Sequence, residues 1–434
     1  MAYSSRDGYN RKDASFHLIR EKGGLRIPDE TLDEPPTRVL AMDVPEEGEF
    51  EVLRPQLTKE WKSVLSAGGV RAKNFITDLG FDVVDQALNF HLQTAKLLYA
   101  VLGGCVTTGT SLVPPLTGTI TAGQGTDVLT ITESAAAGAL VDHYLLVTSG
   151  LRDGEAIQDR YCIIDNDLVS VTIDIDSAGD INGETYEILG PPFGHIITEG
   201  PDIPSFAAHV QLPTMDDDES IYLALLGMIV KGLEITFETD GDAIQAASIE
   251  CPQSVETVEL SDLPANLSSC ILKKWGHMGT VTLTYDGDAV ITKELVERAV
   301  INFESESSIE PRLGDFNANF KRVGDATYEV TLEYTPVNRV LYDLINTRRC
   351  DYASPLALTI TIEVDPEDVI TITFQHLMLR EHPTTIPAPA DVLMSVPAVF
   401  QTDEGKKPLV QVIDGLGLEH YEGSQIEPEY TFIP

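Results

Sequence analysis

The segment of residues 204–238 constrains the fold most strongly, because strand patterns there flank an acidic interruption. Its sequence is PSFAAHVQLPTMDDDESIYLALLGMIVKGLEITFE. Ser205–Leu212 and Met228–Glu238 predict two strands with side chains spaced for burial. Between them lie the acidic run Asp216–Glu219 and a helix-like apolar bridge, Ile221–Leu226, that ends in Leu-Gly. The pattern predicts a strand, a short helix-like bridge and a second strand.

Strand patterns dominate the rest of the chain, and two helices interrupt them. Short alternating segments recur between residues 233 and 379. Pro336–Thr347 predicts an amphipathic helix, because its apolar residues follow the helical period and proline is tolerated in a first turn. Thr94–Leu102 predicts a shorter helix that ends at Gly103-Gly104, a helix C-terminal signal. We therefore expect a mainly β fold with a flanking helix.

Residues 107–195 differ from their surroundings, since they are rich in Thr, Gly and Asp. Six short alternating runs separated by turn residues predict a small β-sandwich or barrel inserted into the main domain. We expect such an insertion on the outside of any assembly. The predicted organisation is an N-terminal arm (1–60), a core in two parts (61–106 and 196–400), the inserted domain (107–195) and a C-terminal arm (401–434).

The charge balance limits the partners of this chain. It has 434 residues, and 69 acidic against 29 basic side chains give a formal net charge of −40. Such a chain repels nucleic acid phosphates, which argues against a DNA-binding enzyme or repressor. The acidity is typical of a solvated surface, of a host that lives in high salt, or of a passage that DNA traverses without binding. These interpretations are compatible with one another.

Cysteine usage and hydropathy indicate the compartment. The five cysteines are scattered, without a CxxC pair, so we expect reduced thiols rather than a disulfide framework. No apolar run reaches the roughly 18 residues needed to span a bilayer, and the polar N-terminus lacks a signal core. We expect the chain to be made in the cytoplasm and kept there or in a particle assembled there.

No arrangement in the sequence predicts catalysis, and we expect neither an enzyme nor a cofactor. GxSxG, GxxxxGK[ST] and HExxH motifs do not occur. The best metal candidate is Asp174–Glu184, read as a calcium loop that begins at Asp174. The match fails because Ala178 occupies position five and Thr185 occupies position twelve. A solvated hairpin turn is the favoured interpretation of this segment.

Three blocks together resemble the major tail tube proteins of long-tailed viruses of bacteria or archaea. They are Arg71–Gly104 with its Leu-Gly-Gly end, Pro204–Glu238, and Val300–Ile345, which contains the strand-like TYEVTLEYT. The resemblance implies a β-sandwich with a flanking helix, six copies of which form a ring whose inner strands join into a barrel. It also implies that rings stack into a virion tail tube, assembled in the host cytoplasm, with an acidic lumen for viral double-stranded DNA. The implied partners are further copies of the chain, a tape measure protein and tail terminator or tip proteins, with no membrane.

The resemblance implies candidate residues without fixing them. Ala243–Cys251 and Val300–Ser305 are candidate barrel strands, with Glu304 and Glu306 as candidate lumen acids. The acidic run and one basic pair are either solvated loops or inter-subunit contacts; those residues are Asp216, Asp217, Asp218, Arg348 and Arg349. Two alternatives remain at this point: another structural virion component, such as a minor tail or decoration protein, and a calcium- or carbohydrate-binding β-sandwich.

Overall fold

The structure is a computed structural model, and it describes most of the chain between residues 84 and 415 together with four shorter N-terminal segments. The described residues are 15–20, 40–42, 57–65, 71–79, 84–111, 115–133, 135–141, 143–152, 155–156, 160–173, 177, 181–213, 220–239, 241–251, 253–257, 279–311, 318–322, 324–336, 340–347, 356–381, 396–402 and 406–415.

The described chain is mainly β, as the sequence predicts, with two α-helices. The first fourteen strands are β1 Ser15–Arg20, β2 Leu40–Met42, β3 Leu57–Leu65, β4 Arg71–Leu79, β5 Val84–His91, β6 Gly103–Ser111, β7 Thr117–Ala122, β8 Val128–Ile131, β9 Tyr144–Val147, β10 Leu151–Arg152, β11 Glu155–Ala156, β12 Arg160–Asn166, β13 Ser170–Ile173 and β14 Thr185–Glu199. The remaining strands are β15 Phe206–Pro213, β16 Ser220–Glu238, β17 Ile244–Cys251, β18 Gln253–Thr257, β19 Gly279–Tyr285, β20 Asp288–Thr292, β21 Val296–Ser305, β22 Ser308–Pro311, β23 Ala318–Arg322, β24 Ala326–Tyr334, β25 Leu356–Asp365, β26 Asp368–Glu381, β27 Val396–Thr402 and β28 Leu409–Asp414. The helices are α1 Lys96–Leu102 and α2 Val340–Thr347.

One large antiparallel sheet contains 22 of these strands, and three hairpins stand apart from it: β3–β4, β10–β11 and β22–β23. Its central part runs in the order β5-β17-β16-β21-β24-β27-β26-β25-β19-β20. On the edge of β26 that β27 contacts, the first half of β26 pairs with β28, which pairs in turn with β14 and then β6.

The central sheet folds back on itself around one hydrophobic core. The Phe303 ring on β21 lies 5.8 Å from the Tyr328 ring on β24 and 6.3 Å from the Phe374 ring on β26. Helix α1 is buried along its whole length against the same core, and α2 packs Leu341 into it. Strands β21 and β26 therefore turn their apolar sides toward each other, and their opposite sides face outward on two sides of the core.

A second hydrophobic cluster lies between residues 120 and 188, with Tyr161, Ile163 and Tyr186 among its buried members. The first half of β14 pairs with β7 and β9 beside this cluster, while its second half pairs with β6 and β28 in the central sheet. Thr107 and His195, the two predicted boundaries of the insertion, are direct partners in the β6–β14 ladder. The two chain ends of this segment therefore leave the central sheet side by side.

The structure corrects the helix-like bridge expected at Ile221–Leu226. These residues belong to β16, which continues through Gly227 to Glu238 and pairs with β15 and β18 on its two edges. Gly227 has a φ of 74° and lies where the β15 register shifts, so it makes an irregularity within the strand instead of ending it. Hydrogen bonding on both edges satisfies the backbone of the run as a strand, and this tertiary pairing decides its conformation.

Two further expectations differ in extent from the structure. Part of the expected C-terminal arm, Leu409–Asp414, forms β28 within the sheet, because alternate residues Val410 and Val412 are buried in the core. The predicted helix at Pro336–Thr347 is observed as α2, and residues 337–339 lie outside the described part of the chain. Strand β1 lies in the expected N-terminal arm and pairs with β15.

Candidate functional site: an acidic face of the sheet

The outward side chains of β16, β21 and β24 form a surface rich in carboxylates. Inward residues of these strands alternate with them and are buried in the core, as Ile235, Ile301 and Val330 illustrate. We call the outward surface the acidic face, and it comprises Glu234, Glu238, Arg298, Glu304, Glu329 and Glu333 with the smaller residues between them.

Strand register brings these carboxylates together from three separate parts of the sequence. Asn302 on β21 lies between Glu234 on β16 and Glu329 on β24. Two residues along β21, Glu304 lies opposite Gly232 on one side and Thr327 on the other. Residues directly opposite each other on one face are about 4.5–5.5 Å apart at Cβ, so Glu234 and Glu329, which lie on either side of Asn302, are only about 10 Å apart.

Arg298 is the cation at one end of the face. Its Nε lies 3.3 Å from Glu238 Oε1, and its Nη1 lies 3.7 Å from Glu333 Oε1. At the border, Arg380 Nη1 lies 3.8 Å from Glu329 Oε2. All these side chains are substantially exposed, so each pair contributes only about 0–1 kcal/mol. The face keeps a net negative charge despite them.

The neighbouring acids are held by neutral donors. Asn302 Nδ2 donates to Glu304 Oε1 at 3.0 Å, and Thr236 Oγ1 donates to Glu234 Oε1 at 3.5 Å. Both glutamates are exposed. Their carboxylates therefore project into solvent from a rigid strand, which makes the face a fixed array of negative charge.

The structure places one predicted lumen acid within this array and the other beside it. Glu304 lies on the acidic face, whereas Glu306 is exposed just beyond the end of β21, where its N–H donates to Asp325 O at 3.0 Å. The five candidate inter-subunit residues, Asp216, Asp217, Asp218, Arg348 and Arg349, lie outside the described residues.

Sequence reasoning missed Glu234, Glu238, Glu329 and Glu333. The available signal was local: each acid occupies a strand position that alternates with buried apolar residues, as in the run LEITFE. That signal shows that each acid faces outward. It does not show that β16, β21 and β24 are neighbours, which is what gathers the acids.

A buried polar cluster ties the central sheet to the root of the 107–195 segment. His195 on β14 has its Nδ1 2.8 Å from Thr107 Oγ1 on β6 and its Nε2 3.0 Å from Asp414 Oδ1 on β28. A hydroxyl, an imidazole and a carboxylate in this order can activate a nucleophile when substrate reaches the hydroxyl. Here all three residues are buried, so the cluster joins three strands and offers no surface for a substrate.

The described residues contain no group of three or more His, Cys, Asp or Glu side chains that could hold a metal ion. The residues of the candidate calcium loop that would act as ligands lie largely outside the described ranges. No helix in the described part of the chain is both long and apolar enough to cross a membrane. No protein-family model matches this sequence, and the search of curated proteins finds no significant match.

Proposed function

We propose that this chain is a structural virion protein, the major subunit of a viral tail tube, in which stacked hexameric rings enclose an acidic lumen for double-stranded DNA. The observation that carries the proposal is the acidic face. A regular sheet buries one side in a core and presents an array of fixed carboxylates on the other. Such a surface lets a polyanion pass without binding, because like charges repel at every position along the path.

Further support comes from the strand edges and from the resemblance of the sequence to tail tube proteins. In the described residues, β5 pairs along one edge only, with β17, so its other edge can accept a strand of a neighbouring copy. Pairing of such edges around a ring closes a barrel and removes the exposed edges that lead to uncontrolled association. Under this proposal the tape measure and tail terminator or tip proteins are the partners, and the virion is the location.

Negative-stain electron microscopy of the purified protein, at high concentration in low and in molar salt, tests the proposal. The net charge of −40 opposes association, and raising salt from about 0.1 M to 1 M shortens the Debye length from about 10 Å to 3 Å. We expect hollow tubes or stacked rings with a pore wide enough for duplex DNA, most readily in molar salt. A monomer in both salts contradicts the proposal and favours a minor tail or decoration protein.

Cysteine labelling tests whether the acidic face lines the lumen. In assembled tubes, Glu304→Cys should be protected from a large maleimide polymer, whereas Asp167→Cys, at an exposed position in the 107–195 segment, should react. Both variants should react before assembly. The unmodified protein is the control for the five cysteines of the chain, of which Cys105 is half-buried. Rapid labelling of Glu304→Cys in intact tubes contradicts the assignment of this face to the lumen.

A further inference from the structure

A second exposed surface lies on the other side of the same core, and it is almost free of charge. It comprises the outward side chains of β19, β25 and β28, of the first half of β26, and of the parts of β14 and β6 that pair within the central sheet, from Thr280 on β19 to Val106 on β6. We call it the neutral face. Among the residues described on it, Glu363 at one end carries a charge, and the others are threonine, glutamine, glycine, alanine and aliphatic residues.

Threonines form two ranks across three neighbouring strands of the neutral face. Thr361 on β25 is the register partner of Thr280 on β19 and of Thr371 on β26. The second rank, one pleat further along, consists of Thr282, Thr359 and Thr373.

The hydroxyls of this face partly satisfy one another. Thr361 Oγ1 and Thr371 Oγ1 are 3.2 Å apart, and Thr284 Oγ1 donates to Ala357 O at 3.3 Å. A hydroxyl that already has a partner within its own subunit costs less to remove from water than one that does not. The threonine ranks can therefore be covered with a small loss of hydrogen bonding.

The other end of the neutral face is aliphatic. Val106 is 59% exposed, Ile196 is 43% exposed and Ile413 is 38% exposed. Val106 and Ile196 are direct register partners, and Ile413 lies diagonally across from Ile196 on β28. Adjacent exposed aliphatic residues on a rigid sheet are the kind of patch that marks an interaction surface.

Charge decides which partner suits this face. A chain with a formal charge of −40 repels its own copies wherever carboxylates meet, and the acidic face is such a place. A basic partner would be attracted to the acidic face instead. Of the two faces, the neutral face is the one on which two copies of this chain can meet with a single described carboxylate, Glu363 at its end, so its composition fits a second copy best.

The area of the face is of the same order as one side of a stable interface, although somewhat smaller. Six strands about 4.8 Å apart, each presenting about 20 Å of its length, span about 600 Å². Stable interfaces bury about 800 Å² on each partner. A polar rim completes the surface, because Lys407 Nζ pairs with Glu199 Oε1 at 2.9 Å beside β28 and Glu363 lies at the opposite end.

We infer that the neutral face is the surface through which one copy of this chain binds a second copy. This inference deepens the proposed function and rests on it, because both require the chain to associate with further copies of itself.

Sedimentation velocity over a range of protein and salt concentrations tests this inference with two matched variants. Ile196→Glu places a carboxylate on the neutral face, and Ile164→Glu places one on β12, where the original isoleucine is 42% exposed against 43% for Ile196. Because both side chains are exposed, neither change should unfold the monomer, which circular dichroism checks. Val106→Glu, on the neighbouring strand, is a second test of the same face.

We expect Ile196→Glu and Val106→Glu to raise the concentration needed for self-association by about tenfold or more, equivalent to about 1.4 kcal/mol, because each contact buries a new carboxylate. Ile164→Glu should assemble like the unmodified protein. If the Ile196 and Val106 variants form tubes as readily as the unmodified protein, the inference is wrong and the tube function stands. A simple dimer that these variants dissociate would support the inference and overturn the tube. A monomer under all conditions overturns both.

Discussion

Replacing Gly103 with alanine should destabilise the protein through a clash that the structure defines. Gly103 follows the last residue of α1, has a φ of 87°, and its N–H donates to Tyr99 O. A Cβ on this residue would lie 2.0 Å from the backbone oxygen of Asp202. That oxygen has little room to move, because Gly200, two residues before Asp202, is held against the same turn. The Gly200 N–H donates to Leu102 O at 2.7 Å, and even a Cβ on Gly200 would lie 2.7 Å from Gly103 C.

The expected loss has two parts. A left-handed backbone costs an L-residue about 1–2 kcal/mol relative to glycine. Forcing a methyl group against immobile backbone adds about 1–3 kcal/mol. The free energy of unfolding of Gly103→Ala should therefore fall by about 2–5 kcal/mol.

Gly287→Ala is the matched control. Gly287 has a φ of 85° in the β19–β20 turn of the same central sheet, and a Cβ there would meet nothing within 4 Å. The free energy of unfolding of Gly287→Ala should therefore fall only by the cost of the left-handed backbone, about 1–2 kcal/mol. Urea unfolding followed by far-ultraviolet circular dichroism measures both variants, with midpoints compared at equal slope. Equal losses in the two variants would refute the argument that the Asp202 carbonyl is fixed in place.

Two other predictions concern buried polar groups. His195→Ala should lower the free energy of unfolding by about 2–3 kcal/mol, because Thr107 and Asp414 each lose a buried hydrogen bond. The control is His91→Ala, at a half-buried site, which should lower the free energy of unfolding by less than about 1 kcal/mol. An equally small loss for His195→Ala would show that the cluster is dispensable. Burial raises the pKa of Tyr334 to about 12, from an unfolded value near 10. The folded state therefore holds this proton more tightly, so the associated stability is present below pH 10 and is lost as the pH rises toward 12. Urea unfolding of Tyr334→Phe should show a shallower loss over that interval than the unmodified protein, and identical pH profiles would contradict the assignment.

Many strands could be predicted from local patterns because burial alternates along them. In β19, Gly279–Tyr285, and β24, Ala326–Tyr334, buried residues alternate with more exposed ones, which is the period of two that the sequence shows. The helix ending at Gly103 was predictable for a similar reason, since glycine adopts the positive φ that ends it.

The run at Ile221–Leu226 shows where local reasoning fails. An apolar stretch of this length is compatible with a helix or with a buried strand, and its own sequence does not decide between them. The decision comes from β15 and β18, which pair with its two edges and come from residues 206–213 and 253–257. Composition indicated an excess of carboxylates without locating them, and Glu304 is the one residue of the acidic face that the family resemblance offered as a candidate.

The sequence by itself determined the mainly β class, the net charge of −40 and the outward direction of residues such as Glu234 and Thr361, because these depend on composition and on a period of two along each strand. Only the tertiary structure decided that Glu234 lies near Glu329, and Thr361 beside Thr371 and Thr280. Strand order and register minimise the free energy of the whole core, and that minimum depends on contacts between residues far apart in the chain. The separation of an acidic face from a neutral face is therefore a property of the assembled sheet.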